Sequence, residues 1–532
     1  MIATRQKAKP IERNILTSTR TVAFVVSVAS AVALTAAFPK LDWSWFAPLA
    51  MAGLFWSWFV TPARTAVLIG LLSGIVYFAI MCSWFATTAA GLVGPFGFLT
   101  VLGPAIIECP AFVLAAAAAS LAYARIPGVA APFAAAGAFG LFEWLRSVGT
   151  MGMPFAQVGY SQVQSGFAPL AAYGGTIFVT FIIATIGALI AWVALDPSRV
   201  LPAALSVAGI ALVTFGANVA WPARHAGAAT VPVAAIQGNI RQAIKWDPQS
   251  YLTANRRYVA MTRAVAAFHP QLVLWPETVV TAPLGDLSQL PPKDTAATQF
   301  WIDTFASLAR QSNTTLVVGS LQISSDGLHN ALYFFSPKGT LEETYRKRQL
   351  VPYAEWVPYG AWLLRWFPYA DQLGRQVPGR DPAVVSAGPL VVAPLICWES
   401  AFSDVVHDQI ARGATVLAVA TDDGWFGESA GPYQHAQIAQ MRAIETGRWV
   451  VRAAATGISG IIAPTGAWTE RAGLDEQAAV TGFVGPPAPT LYSRIGPWPV
   501  AFALAAFYVL SLAGVPRLRD ALHRYARDDK LW

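Results

Sequence analysis

Long apolar runs dominate the two ends of the chain, and short ones broken by turn residues dominate its middle. Runs long enough to cross a bilayer, about 20 residues each, occur near residues 21–37, 44–60, 65–87, 97–123, 128–148, 166–194, 200–219 and 497–515. They predict a polytopic α-helical membrane bundle of eight spans. The first run follows Arg5, Lys7, Lys9, Arg13 and Arg20, and a second and third run come almost at once. It therefore reads as an uncleaved signal anchor rather than a cleaved leader. From Val231 the period changes. Strand-like runs are Val231–Gln237, Gln271–Trp275, Thr315–Gln322, Ala331–Ser336, Leu390–Trp398, Ala414–Thr421, Trp449–Ala455, Gly460–Pro464 and Ala478–Val484, with helical stretches at Ser250–Phe268, Ala297–Gln311, Ser403–Arg412 and Tyr433–Thr446. Strands alternating with helices predict an α/β layered domain, and its 275 residues suffice to bury a core unaided. The expected organisation is a membrane bundle of seven spans over residues 1–220, an α/β domain over 221–495, and an eighth span with its tail over 496–532.

Composition sharpens this division. Hydrophobic residues make up 55% of the 532 and charged residues only 12%, against about 25% charged in an ordinary soluble domain. A wholly soluble protein is excluded, as is a disordered one. The net charge of +7 fits either a nucleic-acid surface or a topology signal. Residues 221–495 hold 21 basic and 21 acidic side chains, so the domain has no basic footprint and no nucleic-acid partner is expected. The excess lies in the apolar part. With both ends in the cytoplasm, the inner segments hold 13 basic residues and the short outer loops two, Lys40 and Arg146. That bias follows the positive-inside rule and puts the α/β domain outside the cytoplasm.

Candidate chemistry gathers where strands end. Gln271-Leu-Val-Leu-Trp-Pro-Glu277 runs apolar and then presents a carboxylate beyond a proline, and Leu395-Ile-Cys397-Trp-Glu399 ends in a thiol and a carboxylate. Strand ends of this kind line ligand crevices in open α/β sheets. Cys82 and Cys109 fall in predicted spans, leaving Cys397 alone in the outer domain. Oxidising compartments favour paired cysteines, so the lone thiol is either a buried hydrophobe or a nucleophile. A nucleophilic thiol needs a base and a group to stabilise the oxyanion that follows. None of His225, His269, His329, His407 and His435 sits at an apolar strand end, and His435 reads as structural. Glu277 and Lys347 are the alternative base and electrophile; Lys347 stands within three consecutive cations, ahead of Leu-Val-Pro and Glu355. No CxxC or HExxH spacing occurs, so no metal or other cofactor is expected. In the bundle, Glu143 and Arg146 form an i, i+3 pair, open either to helix tying or to substrate contact, and Glu108 reads as a helix-end residue near the interface.

These motifs form a set. Trp-Pro-Glu277, Tyr-x-Lys347-x-x-Leu-Val-Pro with Glu355, and Cys397-Trp-Glu399 resemble the Glu–Lys–Cys triad of the nitrilase superfamily. With the eight spans, Gln237-Gly-Asn-Ile ahead of Trp246, Trp425-Phe-Gly, and Glu143-Trp-Leu-Arg146, the chain resembles the apolipoprotein N-acyltransferase family of bacteria. The resemblance implies an αββα nitrilase-like sandwich on the periplasmic side of the cytoplasmic membrane. It implies Glu277 as general base, Cys397 as nucleophile and Lys347 as oxyanion stabiliser, with Glu355 and Glu399 supporting them. It further implies that Trp246, Trp398 and Trp425, with Glu143 and Arg146, meet the substrates. Those are a phospholipid acyl donor and a diacylated apolipoprotein acceptor, handled by a monomer without a cofactor. Asp422 departs from the family, which more often has Asn there, and an extra carboxylate beside a thiolate would raise the thiol's pKa unless paired. Trp398 stands where Tyr is common. Two other classes compete: a membrane-tethered nitrilase-type amidase acting on a small soluble substrate, and a transporter or sensor with a ligand-binding outer domain.

Overall fold

The computed structural model describes residues 10–245, 251–285, 292–358, 365 and 374–528. Each of the eight apolar stretches coincides with a helix or a pair of helices: Pro10–Thr35, Ala47–Phe59, Ala63–Met81, Leu102–Glu108 with Pro110–Arg125, Ala130–Leu145, Ala171–Leu195, Val200–Val219 and Trp498–Asp528. Only three apolar segments among the described residues are long enough to cross a membrane outright, Ala63–Met81, Ala168–Leu195 and Pro197–His225; the pair meeting at Cys109 makes a fourth if its 41° bend is one broken span. Pro110 accounts for that bend, since its ring and missing N–H interrupt the helical ladder. The helices at Thr19–Thr35, Ala130–Leu145 and Trp498–Gly514 are apolar but shorter. Close packing draws on small residues. Gly70 lies against the backbone of Phe112 and Gly74 against the Phe112 side chain, and a Cβ at either would come within 3.0 Å of that residue. Such Gly-xxx-Gly faces let helix backbones approach where lipid offers no hydrophobic drive.

The α/β domain contains thirteen described strands: β1 Val231–Gln237, β2 Leu272–Leu274, β3 Val280–Gly285, β4 Thr315–Ser324, β5 Gly327–Phe335, β6 Leu341–Arg346, β7 Val385–Ala387, β8 Leu390–Ile396, β9 Val416–Thr421, β10 Trp449–Ala454, β11 Ser459–Ile462, β12 Trp468–Ala472 and β13 Ala478–Val484. One sheet runs β13-β1-β2-β4-β5-β6 with β3 also on β4, and the other runs β12-β11-β10-β9-β8-β7. Both are parallel at the centre, β1/β2/β4 and β8/β9/β10, with antiparallel margins. All nine expected strands are present. The four that the pattern missed, β3, β6, β7 and β12, are short, carry proline, or lie at margins with polar faces such as Leu-Glu-Glu-Thr-Tyr-Arg, where alternation fades.

The two sheets pack face to face. Val233, Ala235, Leu272, Leu274, Val317 and Phe334 from the first meet Val392, Ile396, Val416, Ala418, Ala420 and Val451 from the second. Helices Tyr251–Val265 and Pro292–Ser312 cover the first sheet, burying Tyr258, Trp301 and Phe305. Helices Ser403–Ala411 and Gly431–Thr446 cover the second, in one core continuous with the membrane helices. The domain is thus a four-layer αββα sandwich, as the resemblance implies, whose second helical layer doubles as the seat on the bundle. The seat is polar as well. Glu445 accepts from the backbone N–H and the hydroxyl of Thr176 at 2.6 and 2.5 Å, and Arg442 donates to the Tyr160 hydroxyl. The bundle meets that seat at a kink, where Gly175 has φ 71° and a Cβ would strike the Tyr492 ring at 2.4 Å.

Candidate active site

Three strand ends converge on one point. Just beyond β2 the chain presses so closely on β4 that a Cβ at Gly319 would lie 2.1 Å from the Pro276 carbonyl. Glu277 is buried there, and Thr278 follows with φ 48°, a left-handed conformation costly for a β-branched residue. Lys347 follows β6 directly, its main chain held by the Asn330 carbonyl at 2.8 Å and the Gly379 N–H at 2.7 Å. Cys397 follows β8 directly; the expected strand to Trp398 ends one residue before the thiol, because Cys397 takes φ 50° and opens a 3-10 turn. A residue in that region is raised out of the strand line, a form of backbone strain that clusters at active sites.

Lys347 bridges two carboxylates, 3.0 Å from Glu277 Oε1 and 2.8 Å from Glu355 Oε1, and is itself buried. Asn330 donates to the same two oxygens at 2.7 and 3.1 Å. The second Glu277 oxygen accepts the Asp422 N–H at 3.0 Å, and the second Glu355 oxygen accepts the Val351 N–H at 2.8 Å. Glu399 gathers the main chain around the thiol: it accepts the N–H groups of Ile396 at 2.7 Å and Arg348 at 2.6 Å, and the Tyr345 hydroxyl at 2.9 Å. The Cys397 carbonyl accepts from Ser400 at 2.8 Å and from His435 Nε2 at 3.1 Å. His435 meets Asp423 at 2.8 Å, and Asp423 pairs with Arg452 at 2.6 Å.

Electrostatics separate the three groups. Burial alone would raise the Glu277 carboxyl, but Lys347 and then Lys245 outweigh it and hold it below the usual value. Burial works against the Lys347 ammonium, yet Glu277 and Glu355 keep it well above its ordinary range. The Cys397 thiol is pushed well up, first by burial and then by the Glu277 charge, with Lys347 opposing. At rest the site therefore holds a carboxylate, an ammonium and a neutral thiol. Asp422, the departure from the family pattern, is buried and paired with Lys245.

The expected contact residues fall in different places. Trp398 is buried and stacks on Phe155 of the bundle at 5.1 Å. Trp425 is exposed, in the 3-10 turn Asp423–Phe426, and its carbonyl accepts the Thr88 hydroxyl at 2.8 Å. Trp246 lies outside the described residues. Glu143 is buried in the bundle, Arg146 has its side chain largely covered there, and both make polar contacts within it. Glu143 accepts the Val158 N–H and the Thr180 hydroxyl, both at 2.9 Å. The expected i, i+3 pair is the weaker contact, 3.9 Å, because Arg146 turns to Glu108 at 3.2 Å and to the Met153 carbonyl at 2.6 Å. Glu108 ends its helix as expected and is buried against that arginine. Sequence reasoning missed Asn330, Lys245 and the His435–Asp423–Arg452 chain. Asn330 sits one residue ahead of the expected strand Ala331–Ser336, and a polar residue entering an apolar run is the signal that could have marked it.

The comparisons cover both halves. Residues 30–189 match the family model described as Apolipoprotein N-acyltransferase N-terminal domain, and residues 232–482 match the one described as Carbon-nitrogen hydrolase. The Apolipoprotein N-acyltransferase of Methylococcus capsulatus is 31% identical over 95% of this chain and 98% of its own length. The protein of that name from Haemophilus ducreyi is 30% identical over 87% of this chain and 91% of its own. Among solved structures, an amidase from Nesterenkonia sp. AN1, in a mutant carrying acrylamide on its active-site cysteine, aligns at TM-score 0.37 with 21% identity, over 50% of this chain and 97% of that one. On the strength of the two full-length relatives and the two family models in chain order, the chain belongs to the apolipoprotein N-acyltransferase family.

Proposed function

We propose that this protein transfers a fatty acyl chain from a membrane phospholipid, through a thioester on Cys397, to the N-terminal amine of the diacylglyceryl cysteine of an apolipoprotein. The observation that carries the reading is a buried thiol at positive φ, electrostatically coupled to an ionised Glu277–Lys347 pair, on a domain seated on apolar helices. In the first half-reaction the Cys397 thiol proton passes to Glu277 as sulfur attacks the ester carbonyl. Lys347 stabilises the oxyanion. The carbon–oxygen bond breaks, and the lysophospholipid alkoxide takes the proton back from Glu277. In the second, the lipopeptide amine attacks the thioester and gives its proton to Glu277, the carbon–sulfur bond breaks, and the proton ends on the thiolate. One carboxylate thus serves both steps as general base and acid. Because the resting thiol is neutral, its deprotonation is tied to arrival of the acyl carbonyl, which protects the nucleophile between turnovers.

Glu355 orients Lys347 in this reading, and Glu399 fixes the main chain beside Cys397. Trp398 and Trp425, together with Trp246, border the acyl and lipopeptide paths. Glu143 and Arg146 act through the loop they hold, residues 147–158, which carries Phe155 to its stack on Trp398. The bundle spans the cytoplasmic membrane eight times over residues 1–220 and 496–532, with the domain 221–495 in the periplasm. Both substrates are lipid anchored, which is the physical reason for tethering the domain.

Incubation with phospholipid alone tests the reading. A fatty-acyl mass on Cys397, released by a diacylated lipopeptide as its N-acyl product, is the expected result. Turnover of a small soluble amide with no acyl adduct would overturn it in favour of an amidase.

A further inference from the structure

Glu277 is held from a second side by an ion pair that the mechanism above does not use. Lys245 ends the short helix Gln242–Lys245 after β1, and Asp422 lies just past β9. Both are buried, and the Lys245 ammonium donates to Asp422 Oδ2, to the Thr278 hydroxyl at 2.6 Å and to the Glu277 carbonyl at 3.4 Å. Asp422 is further tied by the Gln242 amide at 2.5 Å and the Gly424 N–H at 3.2 Å, while its own N–H donates to Glu277 Oε2 at 3.0 Å. The pair therefore grips the general base twice: Lys245 pins the left-handed Thr278 and the carbonyl before it, and Asp422 supplies the donor to the carboxylate oxygen that Lys347 leaves open.

We propose that Lys245 and Asp422 are a matched pair of positioning residues for Glu277, each tolerated only with the other, which sets the orientation and the charge of the base. The proposal rests on the reading of Glu277 as general base. Its logic is charge balance. Glu277 faces Lys347 with Glu355 beyond it from the segment after β6, the neutral Asn330 from β5, Asp422 after β9 and Lys245 after β1, and it acts on Cys397 after β8, which Asp423 also influences. Without Asp422, Lys245 would be a buried cation close to the base; without Lys245, Asp422 would be a second buried carboxylate there. Either single loss leaves a desolvated charge without its partner, which costs far more than removing both.

The test is thioester formation on Cys397, measured against pH in single turnovers with a diacyl phospholipid in micelles, for wild type, Lys245→Met, Asp422→Asn and the double variant Lys245→Met/Asp422→Asn. A base must be ionised to act, so the acidic limb of the profile follows its pKa. Lys245→Met removes a neighbouring cation and should move the limb to higher pH; Asp422→Asn removes a neighbouring anion and should move it to lower pH. Each single variant should lose roughly tenfold or more in rate, and the double variant should regain about tenfold over the worse single one, the size of a contact coupling energy. Limbs that stay fixed, or losses that simply add in the double variant, would overturn the proposal; if a single variant fails to fold, recovery of folding in the double variant supports the pair and its absence counts against it. Glu277→Gln separates the two readings. If it still forms the thioester, the general-base assignment falls; if it does not and the limbs stay put, only the matched pair falls.

Discussion

Two buried clusters in this chain have the same formal make-up, one cation between two carboxylates. At the sheet ends Lys347 lies 3.0 and 2.8 Å from Glu277 and Glu355; in the bundle Arg146 lies 3.2 and 3.9 Å from Glu108 and Glu143. What differs is what the carboxylates still have to do. Glu143 spends both oxygens on the Val158 N–H and Thr180, and Arg146 clamps the Met153 carbonyl, so that cluster ties helices and a loop together. Glu277 keeps one oxygen on a single main-chain N–H, and the thiol it acts on electrostatically sits at positive φ on the next sheet. The cations suit the two tasks. Arginine is a rigid fork for holding fixed acceptors, whereas lysine is a compact point charge suited to a developing oxyanion. Residue types alone do not separate a structural cluster from the one proposed to react; the backbone beneath them does.

The largest expected effect breaks the reactive side outright. Cys397→Ser should lower N-acylation by on the order of a thousandfold or more, since a hydroxyl is a far weaker nucleophile than a thiol, while thermal unfolding in detergent stays close to wild type. Retained turnover in that variant would remove the chemistry from this cluster. The paired arginine and lysine variants then sharpen the comparison. Lys347→Met and Arg146→Met each strand buried carboxylates and should each destabilise by roughly 3–5 kcal/mol, measured as the shift in unfolding midpoint. Only Lys347→Met should also abolish thioester formation in the molecules that remain folded. Arg146→Met should leave that step intact and raise the apparent KM for phospholipid severalfold, through the loop bearing Phe155. If Arg146→Met silenced the chemistry at unchanged KM, the two clusters would not be different in kind.

The same contrast explains what was legible in the sequence. Glu277, Cys397 and Glu399 were readable because each follows an apolar run that can only be a buried strand, and Lys347 because Leu-Val-Pro follows it. All nine apolar strands were legible for the same reason, while β6 and β12 were not, because marginal strands with exposed polar faces carry no alternation. Asn330 and Lys245 were hidden because their contacts come from strands distant in sequence, 53 and 177 residues away for their bonds to Glu277 and Asp422. The Glu108–Arg146 pair was hidden likewise: the local i, i+3 spacing pointed to Glu143, and tertiary packing gave Arg146 a better partner 38 residues back. Helix lengths were misjudged where proline interrupts an apolar run, as at Pro110, because hydrophobicity does not register a missing N–H.

A smaller effect tests the network behind Cys397. Burial would raise the Asp423 carboxyl, but Arg452 and His435 outweigh it and hold it at about 2, against 3.8 for the free side chain. A carboxyl depressed on folding stabilises the protein above its unfolded value, and that stability is lost as pH falls through the folded one. The contribution, about 2 kcal/mol by linkage, should be complete above pH 4 and fade toward pH 2. In Asp423→Asn that part of the acid dependence should disappear, seen as a shallower fall of unfolding midpoint between pH 4 and 2. An equally steep fall in the variant would show that Asp423 is not held ionised by its partners.

The smallest effect lies where the two regions touch. Trp398 belongs to the reactive turn and Phe155 to the loop that the arginine cluster holds, and their rings stack at 5.1 Å and 18°. A stacked aromatic pair contributes about 0.5–1.5 kcal/mol beyond its buried area, so losing the stack alone corresponds to a change of roughly two- to tenfold. Trp398→Phe keeps an apolar ring against Phe155 and should stay within about twofold of wild type. Trp398→Ala opens a gap between turn and loop, and should raise the apparent KM for phospholipid while the pH profile of thioester formation stays fixed, because no charged group moves. A shifted pH profile in Trp398→Ala would mean that the stack orients Cys397 itself, and the line between the reactive cluster and the structural one would have to be drawn through the bundle rather than at its surface.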